Sequence, residues 1–318
     1  MTTMKVLVTG ANGFVGTALC RRLAQEKHFV HGLVRNVRTE VPEVTYHVGS
    51  LADHEVLRTA LRGTDCVVHL AGRAHIMREE CHNPLAAFRE VNRDATLSLA
   101  QIAKDERVKR FIFISSIGVN GGETLGTVFS EKSPPAPHAD YALSKLEAED
   151  GLRAQFDGSS TELVIIRPPL VYGVGAPGNF GRLLKLVSLG IPLPFGKVSN
   201  YRSMVSLTNL VDFISLCITH PKAAGELFLI SDGCDISTPQ MMRALARGMG
   251  RRQVFLPIPQ IFLRVTARAF GKETMYKQLC GSLQVDSTKA NALLGWSPLS
   301  DTHNELERIG RCYVQGQF

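Results

Sequence analysis

Met4-Lys5-Val6-Leu7-Val8-Thr9-Gly10-Ala11-Asn12-Gly13-Phe14-Val15-Gly16 decides the fold. Met4–Thr9 is a continuous apolar run of strand length, and Gly13–Gln25 carries Val15, Leu19 and Leu23 at helical spacing. Three glycines punctuate the passage from one to the other. Gly10 allows a tight turn, Gly13 lets backbone N–H groups approach a pyrophosphate, and Gly16 lets the helix pack closely. A dinucleotide's negative charge then meets a helix N-terminus. The reading is a dinucleotide-binding strand–loop–helix, with Gly10, Asn12, Gly13, Phe14, Val15 and Gly16 around the phosphates.

The same alternation continues outward. Phe29–Val34, Val44–Val48, Cys66–Leu70 and Phe111–Ile114 are strand-like, with helical patterns at Glu55–Leu61 and Pro84–Lys104 between them. Apolar strands separated by amphipathic helices predict a parallel sheet covered on both faces, and right-handed crossovers make it a doubly wound α/β (Rossmann) fold. Asp140–Gln155 predicts a long helix, and Glu162–Ile166 a strand stopped by Arg167-Pro168-Pro169. Gly and Pro then become frequent, and helices shorten. Residues 1–167 are therefore expected to form the dinucleotide domain, rejoined by about 203–231 through the strand-like Gly225–Ile230. Residues 168–318 form mainly a smaller, discontinuous substrate domain. Val254–Phe270 is apolar with interspersed Arg. An interfacial membrane helix is one reading; the reading adopted is a core-packed element broken by Pro257 and Pro259.

Composition bounds the function. The chain has 318 residues, 44% apolar and 20% charged, which is ordinary for a folded globular protein and excludes disordered and collagen-like classes. The net charge of +7 is scattered, with its densest runs only Arg21-Arg22, Lys109-Arg110 and Arg251-Arg252. No concentrated stripe or reading motif points to nucleic acid, whereas a modest positive excess suits phosphorylated substrates. The seven cysteines lack a C-x-x-C pair, so neither a disulfide framework nor a zinc or other metal site is expected, and Cys66 and Cys217 read as core fillers. Free thiols, an N-terminus without a signal-peptide run and no apolar stretch of roughly 18 residues predict a cytoplasmic protein without a membrane span.

Tyr141 and Lys145 stand four apart and share a helix face. A free tyrosine titrates near pH 10, so acid–base work near neutrality needs its pKa lowered by about three, or roughly 4 kcal/mol. A nearby ammonium and an oxidised nicotinamide both favour the phenolate. Ser116 closes the strand Phe111–Ser115, at the carboxyl end where an α/β sheet presents its ligands. Its hydroxyl is placed to hydrogen-bond a reacting oxygen. His75, His82 and His138 read as surface or cap residues, and Arg73 and His75 lie near enough in the chain to touch substrate.

The G-x-x-G-x-x-G spacing, His69-Leu-Ala-Gly72, Val91-Asn92, Phe113-Ile-Ser-Ser116, Tyr141-Ala-Leu-Ser-Lys145 and Arg167-Pro-Pro-Leu-Val-Tyr-Gly173 occur in sequence along nearly the whole chain. The set resembles the extended short-chain dehydrogenase/reductase family, in its nucleotide-sugar branch. The resemblance implies Ser116, Tyr141 and Lys145 as catalytic residues, with Tyr141 and Lys145 also on the cofactor. It places Leu70, Ala71 and Gly72 along the dinucleotide, Pro168 and Val171 at the nicotinamide, and Asn92 as a structural brace. Members preferring NAD(H) carry an acid after the second strand. Here Val34-Arg35-Asn36 offers Arg35 to a 2′-phosphate, which tilts the expectation to NADP(H). Asn179, Arg182, Phe195 and Arg202 match contacts to a UDP-sugar substrate, against plainer readings of Asn179 as a helix cap and Arg202 as a surface ion pair. A homodimer through the 84–104 and 140–155 helices is usual in such proteins.

The three residues after Ser116 narrow the reaction. Dehydratases of the resembling branch place Asp-Glu there, whereas this chain has Ile117-Gly118-Val119. A 4-keto reductase and a 4-epimerase remain. Ser115–Asn120 and the runs at 68–75 and 231–239 look most like bacterial reductases that form UDP-N-acetylquinovosamine. The expectation is NAD(P)H-dependent reduction of the C4 ketone of a UDP-4-keto-6-deoxy-N-acetylhexosamine, in synthesis of surface-polysaccharide (O-antigen) sugars. The alternative is a UDP-hexose or UDP-N-acetylhexosamine 4-epimerase with bound NAD. A third, a non-catalytic dinucleotide sensor, is disfavoured by the presence of both Tyr141 and Lys145.

Overall fold

Strand β1 (Lys5–Thr9) pairs in parallel with β2 (Phe29–Val34) on one side and β4 (Cys66–His69) on the other. Val6, Leu7 and Val8 are wholly buried, which is what an uninterrupted apolar strand covered on both faces requires. With β3 (Val44–Val48), β5 (Arg110–Ile114), β6 (Glu162–Arg167) and β9 (Leu227–Leu229) the sheet has seven parallel strands in the order β3-β2-β1-β4-β5-β6-β9. The order reverses between β1 and β4, and that switch point opens the crevice in which doubly wound sheets hold ligands. The computed structural model describes residues 3–38, 40–74 and 83–317. His75, Cys81 and His82 lie outside the described residues.

Helix α1 (Phe14–Gln25) covers one face of the sheet together with α7 (Leu207–Thr219); α2 (His54–Leu61), α4 (Ala95–Asp105) and α5 (Asp140–Phe156) cover the other. Sequence periodicity reads 84–104 as one helix. The chain instead forms α3 (Pro84–Arg89), a π-helical turn over Glu90–Asp94, and then α4. One extra residue per turn does not disturb an apolar pattern enough to be seen, yet it turns Asn92 fully inward. Strand β5 stops at Ile114, and Ser116 caps the short helical turn Ile117–Val119 rather than closing the strand.

After β6 the chain leaves the sheet. Strands β7 (Leu170–Tyr172) and β8 (Met204–Ser206) form a separate parallel pair. Around them α6 (Asn179–Ser188), α8 (Thr238–Gly248) and α12 (Thr302–Val314) enclose a second core of Tyr172, Phe180, Leu184, Met242, Leu245 and Ile309. Helices α8 and α12 touch backbone to backbone: a Cβ on Gly248 would fall 2.0 Å from the Glu307 carbonyl oxygen. The Tyr172 hydroxyl donates to Asp232 at 2.6 Å and ties β7 to the loop after β9.

The segment 254–270 corrects a sequence expectation. It is not core-packed. Helix α9 (Gln260–Ala269) has no buried residue, and Ile261, Phe262 and Val265 stand about 60% exposed. On α9 Leu263 packs in part against the second core, as does Phe255 ahead of the helix. Sequence pattern shows that a face is apolar, not what meets it. Among the described residues no helix is long and apolar enough to cross a membrane.

Candidate active site

The phosphate loop is built by close backbone approach. Gly10 has φ of +70°, a conformation that suits glycine, and a Cβ there would stand 2.9 Å from the Ala71 nitrogen. A Cβ on Gly16 would fall 2.1 Å from the Gly10 carbonyl oxygen, so only glycine lets α1 start over the loop. Gly13 has no side chain to block the helix N-terminus, for which it is the cap residue. Asn12 donates to the Asn36 carbonyl at the end of β2, while its Oδ1 is buried without a partner. An orphaned acceptor beside a helix N-terminus, in a cradle that side chains would fill, fits a bound dinucleotide. Val15 packs on the main core and Phe14 on the second; the Phe14 ring lies against Gly173, joining the loop to the second layer. Arg35 comes directly after β2 and is exposed.

Across the switch point, Leu70, Ala71 and Gly72 leave β4. The Ala71 N–H donates to Thr9 Oγ1 at 3.2 Å. The Thr9 hydroxyl also lies 2.7 Å from His69 Nδ1, and because Thr96 spends its own proton on the Asn92 carbonyl, the neutral ring accepts from Thr9 at Nδ1. His69 Nε2 then carries the proton and faces Thr96 Oγ1 at 2.9 Å, and Thr96 donates onward to the Asn92 carbonyl at 2.9 Å. All members are buried or half-buried, and burial together with the nearby Lys145 ammonium pushes the His69 pKa down to about 3. The Asn92 side chain clamps Arg73 through both its N–H (2.8 Å) and its carbonyl (3.0 Å), and donates to Ser144 at 3.1 Å. Sequence reading marks Asn92 as a brace. It misses Thr9, His69 and Thr96; the signal was a polar residue closing each of two apolar strands.

Helix α5 carries Tyr141 and Lys145. Lys145 is 97% buried and donates to the Ile114 carbonyl at 2.9 Å, with its ammonium 4.4 Å from the Phe113 ring centre. Burial lowers its pKa to about 8. A Cβ on Gly72 would lie 3.5 Å from Lys145 Nζ, so the bare Gly72 backbone lets the ammonium face the crevice between β1 and β4. The Tyr141 ring packs edge-on to Phe88, and burial raises the hydroxyl's pKa to about 12. In this state the phenol is held protonated, and Lys145 does not lower it. Ser116 Oγ accepts the Gly118 N–H at 3.1 Å, which leaves its own proton available to an incoming oxygen. Gly118 stands between Ser116 Oγ and Ala142, one residue along α5 from Tyr141, so the turn after β5 meets the start of α5. The Pro168 carbonyl accepts the Ile117 N–H at 3.0 Å, and Val171 packs on the main core nearby. His138 is exposed, its ring over Gly122.

Beneath these residues lies a buried ion pair. Glu149 of α5 accepts from Arg167 at 2.9 and 2.6 Å and from the Ser115 hydroxyl at 2.5 Å, and Arg167 also donates to Asn120 at 3.0 Å. Their side chains are 1% and 3% exposed. The sequence marks Arg167 only as a strand end and gives no sign of Glu149's role.

The residues matched to a nucleotide sugar gather on the second layer. Arg202 is largely buried, its pKa lowered by desolvation, and it donates to the Gly281 carbonyl at 3.1 Å. No ion pair reaches it among the described residues, so the surface ion-pair reading fails. Asn179 is not the cap of α6; Gly178 is, at φ +71°, and Asn179 donates to Gln278 at 2.8 Å. Asn179 and Arg202 thus both meet the 278–281 segment at the end of α10 (Glu273–Cys280). Phe195 is part of the second core, and Arg182 lies on the exposed side of α6.

The family model for the NAD dependent epimerase/dehydratase family matches residues 6–231. A UDP-glucose 4-epimerase from Vibrio cholerae is 44% identical over 313 residues, covering 98% of this chain and 95% of that protein. The N-acetyl-alpha-D-glucosaminyl-diphospho-ditrans,octacis-undecaprenol 4-epimerase of Escherichia coli O157:H7 is 29% identical over 90% of this chain and 88% of its own. Among solved structures, the UDP-glucose 4-epimerase of Thermotoga maritima with UDP-glucose superposes with a TM-score of 0.79 over 99% of this chain and 100% of that one; at 22% identity it speaks to the fold alone.

Proposed function

The chain belongs to the NAD dependent epimerase/dehydratase family, and from that premise we propose that it is a UDP-hexose or UDP-N-acetylhexosamine 4-epimerase that keeps NAD bound between turnovers. The similarity to the Vibrio cholerae UDP-glucose 4-epimerase, at 44% over nearly the whole of both chains, carries this choice over one-way ketone reduction. The buried apolar turn Ile117–Val119 after Ser116 supports it against dehydration, because elimination needs an acid and a base that this turn lacks.

NAD seated on the 10–16 loop would supply the acceptor, and then the donor, of the hydride at C4. This chain's residues handle the proton. Tyr141 takes it from the sugar O4 and returns it. Ser116, whose hydroxyl proton is not engaged by the turn, orients that oxygen. Lys145 has one N–H engaged with Ile114 and two left for ribose hydroxyls, and its charge favours the phenolate once the crevice is filled. Arg202 meets the diphosphate, since a largely buried guanidinium without a carboxylate is a ready anion site. Phe195 flanks the uracil, with Asn179 and Arg182 nearer the sugar. In this reading the layer built mainly after Pro168 holds the sugar nucleotide. Exposed Arg35 favours a second reading, reduction of a UDP-4-keto sugar by NADP(H).

Purification without added cofactor separates the two. The expected result is NAD released on denaturation, and interconversion of C4-epimeric UDP-sugars, tracked by proton NMR, with nothing added. Protein that arrives empty, is inert toward UDP-glucose and UDP-N-acetylglucosamine, and consumes NADPH only with a 4-keto sugar would establish the reductase instead.

A further inference from the structure

We propose that the segment from Arg251 to Phe270 is a docking face for an anionic lipid surface. The first observation is the helix α9 itself. On its turn, Ile261, Val265 and Ala269 succeed one another at intervals of four, and Phe262 stands beside them. They point away from the protein: Ile261, Phe262 and Val265 are 60%, 61% and 59% exposed, while Leu263 is the residue that packs inward. Phe270, 78% exposed, extends the apolar face beyond the helix end. An amphipathic helix normally turns its apolar side to the core; this one turns it to solvent. Its ten residues are far too few to span a bilayer, which takes roughly 20. A helix of this kind fits one lying in the headgroup plane.

The second observation is charge, and it names the occupant. From Ile236 to Lys272 the chain has seven basic residues and no acid. Arg264 and Arg268 border the apolar stripe on α9. Arg243, Arg247, Arg251 and Arg252 line a cavity of about 290 Å³ with Gln240 and Gln253. Among the described residues one carboxylate answers these four guanidiniums, Glu307 on Arg247 at 3.1 Å. Arg243 stacks instead on the Phe255 ring at 4.9 Å, next to the exposed Val254 and Leu256. A second copy of this chain docked through the same face would set cation against cation, because a twofold contact pairs a surface with itself. Anionic headgroups with acyl chains beneath them match both the charge and the apolar stripe. The face adjoins the substrate side of the molecule: α9 leads into α10, whose last residues touch Asn179 and Arg202.

Flotation of the full chain with phosphatidylcholine vesicles, with and without phosphatidylglycerol, tests this. Binding is expected only with phosphatidylglycerol and should weaken as salt rises. Replacing Phe262→Ser and Val265→Ser together should lower vesicle affinity at least about ten-fold, and Arg264→Gln with Arg268→Gln roughly twenty-five-fold, at about five-fold per charge. Both pairs lie on exposed positions and should leave turnover of a soluble UDP-sugar unchanged. Wild-type protein that fails to float with phosphatidylglycerol overturns the proposal without any variant. So does undiminished flotation of the apolar variant, and so does a wild-type dimer that ignores vesicles and that the apolar pair dissociates in sedimentation equilibrium, since a second copy then covers the face.

Discussion

His69 and Thr96 meet at 2.9 Å inside the protein, and the direction of that hydrogen bond is fixed by its neighbours. Thr96 donates its one hydroxyl proton to the Asn92 carbonyl, so His69 Nε2 must donate to Thr96, and Nδ1 of the neutral ring accepts from Thr9. Burial and the nearby Lys145 ammonium keep the imidazole neutral, and a second proton would have to turn the Thr9 hydroxyl away.

Acid stability should report this. The folded pKa of His69 is about 3, against 6.5 unperturbed. Between those values the unfolded chain binds a proton that the folded chain refuses, so stability falls as pH drops from about 6.5 toward 3. The full loss from this residue is about 5 kcal/mol at most. His69→Gln removes the titration, and its denaturant midpoint should vary less with pH over that range. An unchanged slope would remove His69 as the cause.

Tyr141→Phe should lower turnover by at least about a thousand-fold and leave the NAD content of the purified protein nearly unaltered. The wild-type phenol offers an optical check. With burial holding it at about 12 in the cofactor-free state, no phenolate band should grow in for Tyr141 below about pH 11, and NAD should bring that band to lower pH. The same band position with and without NAD would contradict the tuning of Tyr141 by positive charge.

Lys145 should cost stability where it supplies function. Its fall from 10.5 to about 8 corresponds to about 3 kcal/mol of burial penalty on the charged form. The sign is that of a depressed base: the penalty is complete below pH 8 and vanishes as pH rises toward 10.5. Lys145→Met should therefore melt higher than wild type in cofactor-free protein at pH 7, lose that advantage by about pH 10, and be inactive. A lower melting temperature at pH 7 would mean that the bond to Ile114 outweighs desolvation.

How much of this was legible in the sequence depends on which forces act locally. The 10–16 loop, β1 and the Tyr141–Lys145 spacing were readable because backbone sterics and helix periodicity write them into adjacent residues. The π-helical turn at Asn92 was not, since one added residue barely perturbs a periodic pattern. Glu149 and Arg167 lie 18 apart, and nothing local marks two charges that meet only after α5 packs on β6. The outward face of α9 was misread because its inward and outward faces are both apolar, so pattern alone could not orient it. Arg35 reads toward NADP(H) on residue type alone, because nothing local fixes what an exposed side chain meets.

The Glu149–Arg167 pair should behave as buried ion pairs do. Removing one partner, as in Glu149→Ala, strands the Arg167 guanidinium and should cost about 3–5 kcal/mol. The double replacement Glu149→Leu with Arg167→Met should recover most of that in chemical denaturation. Because the pair also holds Ser115, beside Ser116, the double variant should still lose turnover even where it regains stability.

On the proposed function, replacing Arg202 should separate substrate binding from cofactor binding. Its guanidinium is desolvated and has one neutral acceptor, the Gly281 carbonyl. Such a cation is under-compensated until an anion arrives, so its loss should help the empty protein and harm the loaded one. Arg202→Met should raise the melting temperature without ligand, and reduce or abolish the further rise that UDP produces in wild type. KM for the UDP-sugar should climb by about a hundred-fold, while NAD content stays unchanged, because Arg202 is held at the Gly281 carbonyl and the dinucleotide reading rests on the 10–16 loop. A UDP-induced rise equal to wild type would take Arg202 off the diphosphate and leave it as a strut between β8 and α10.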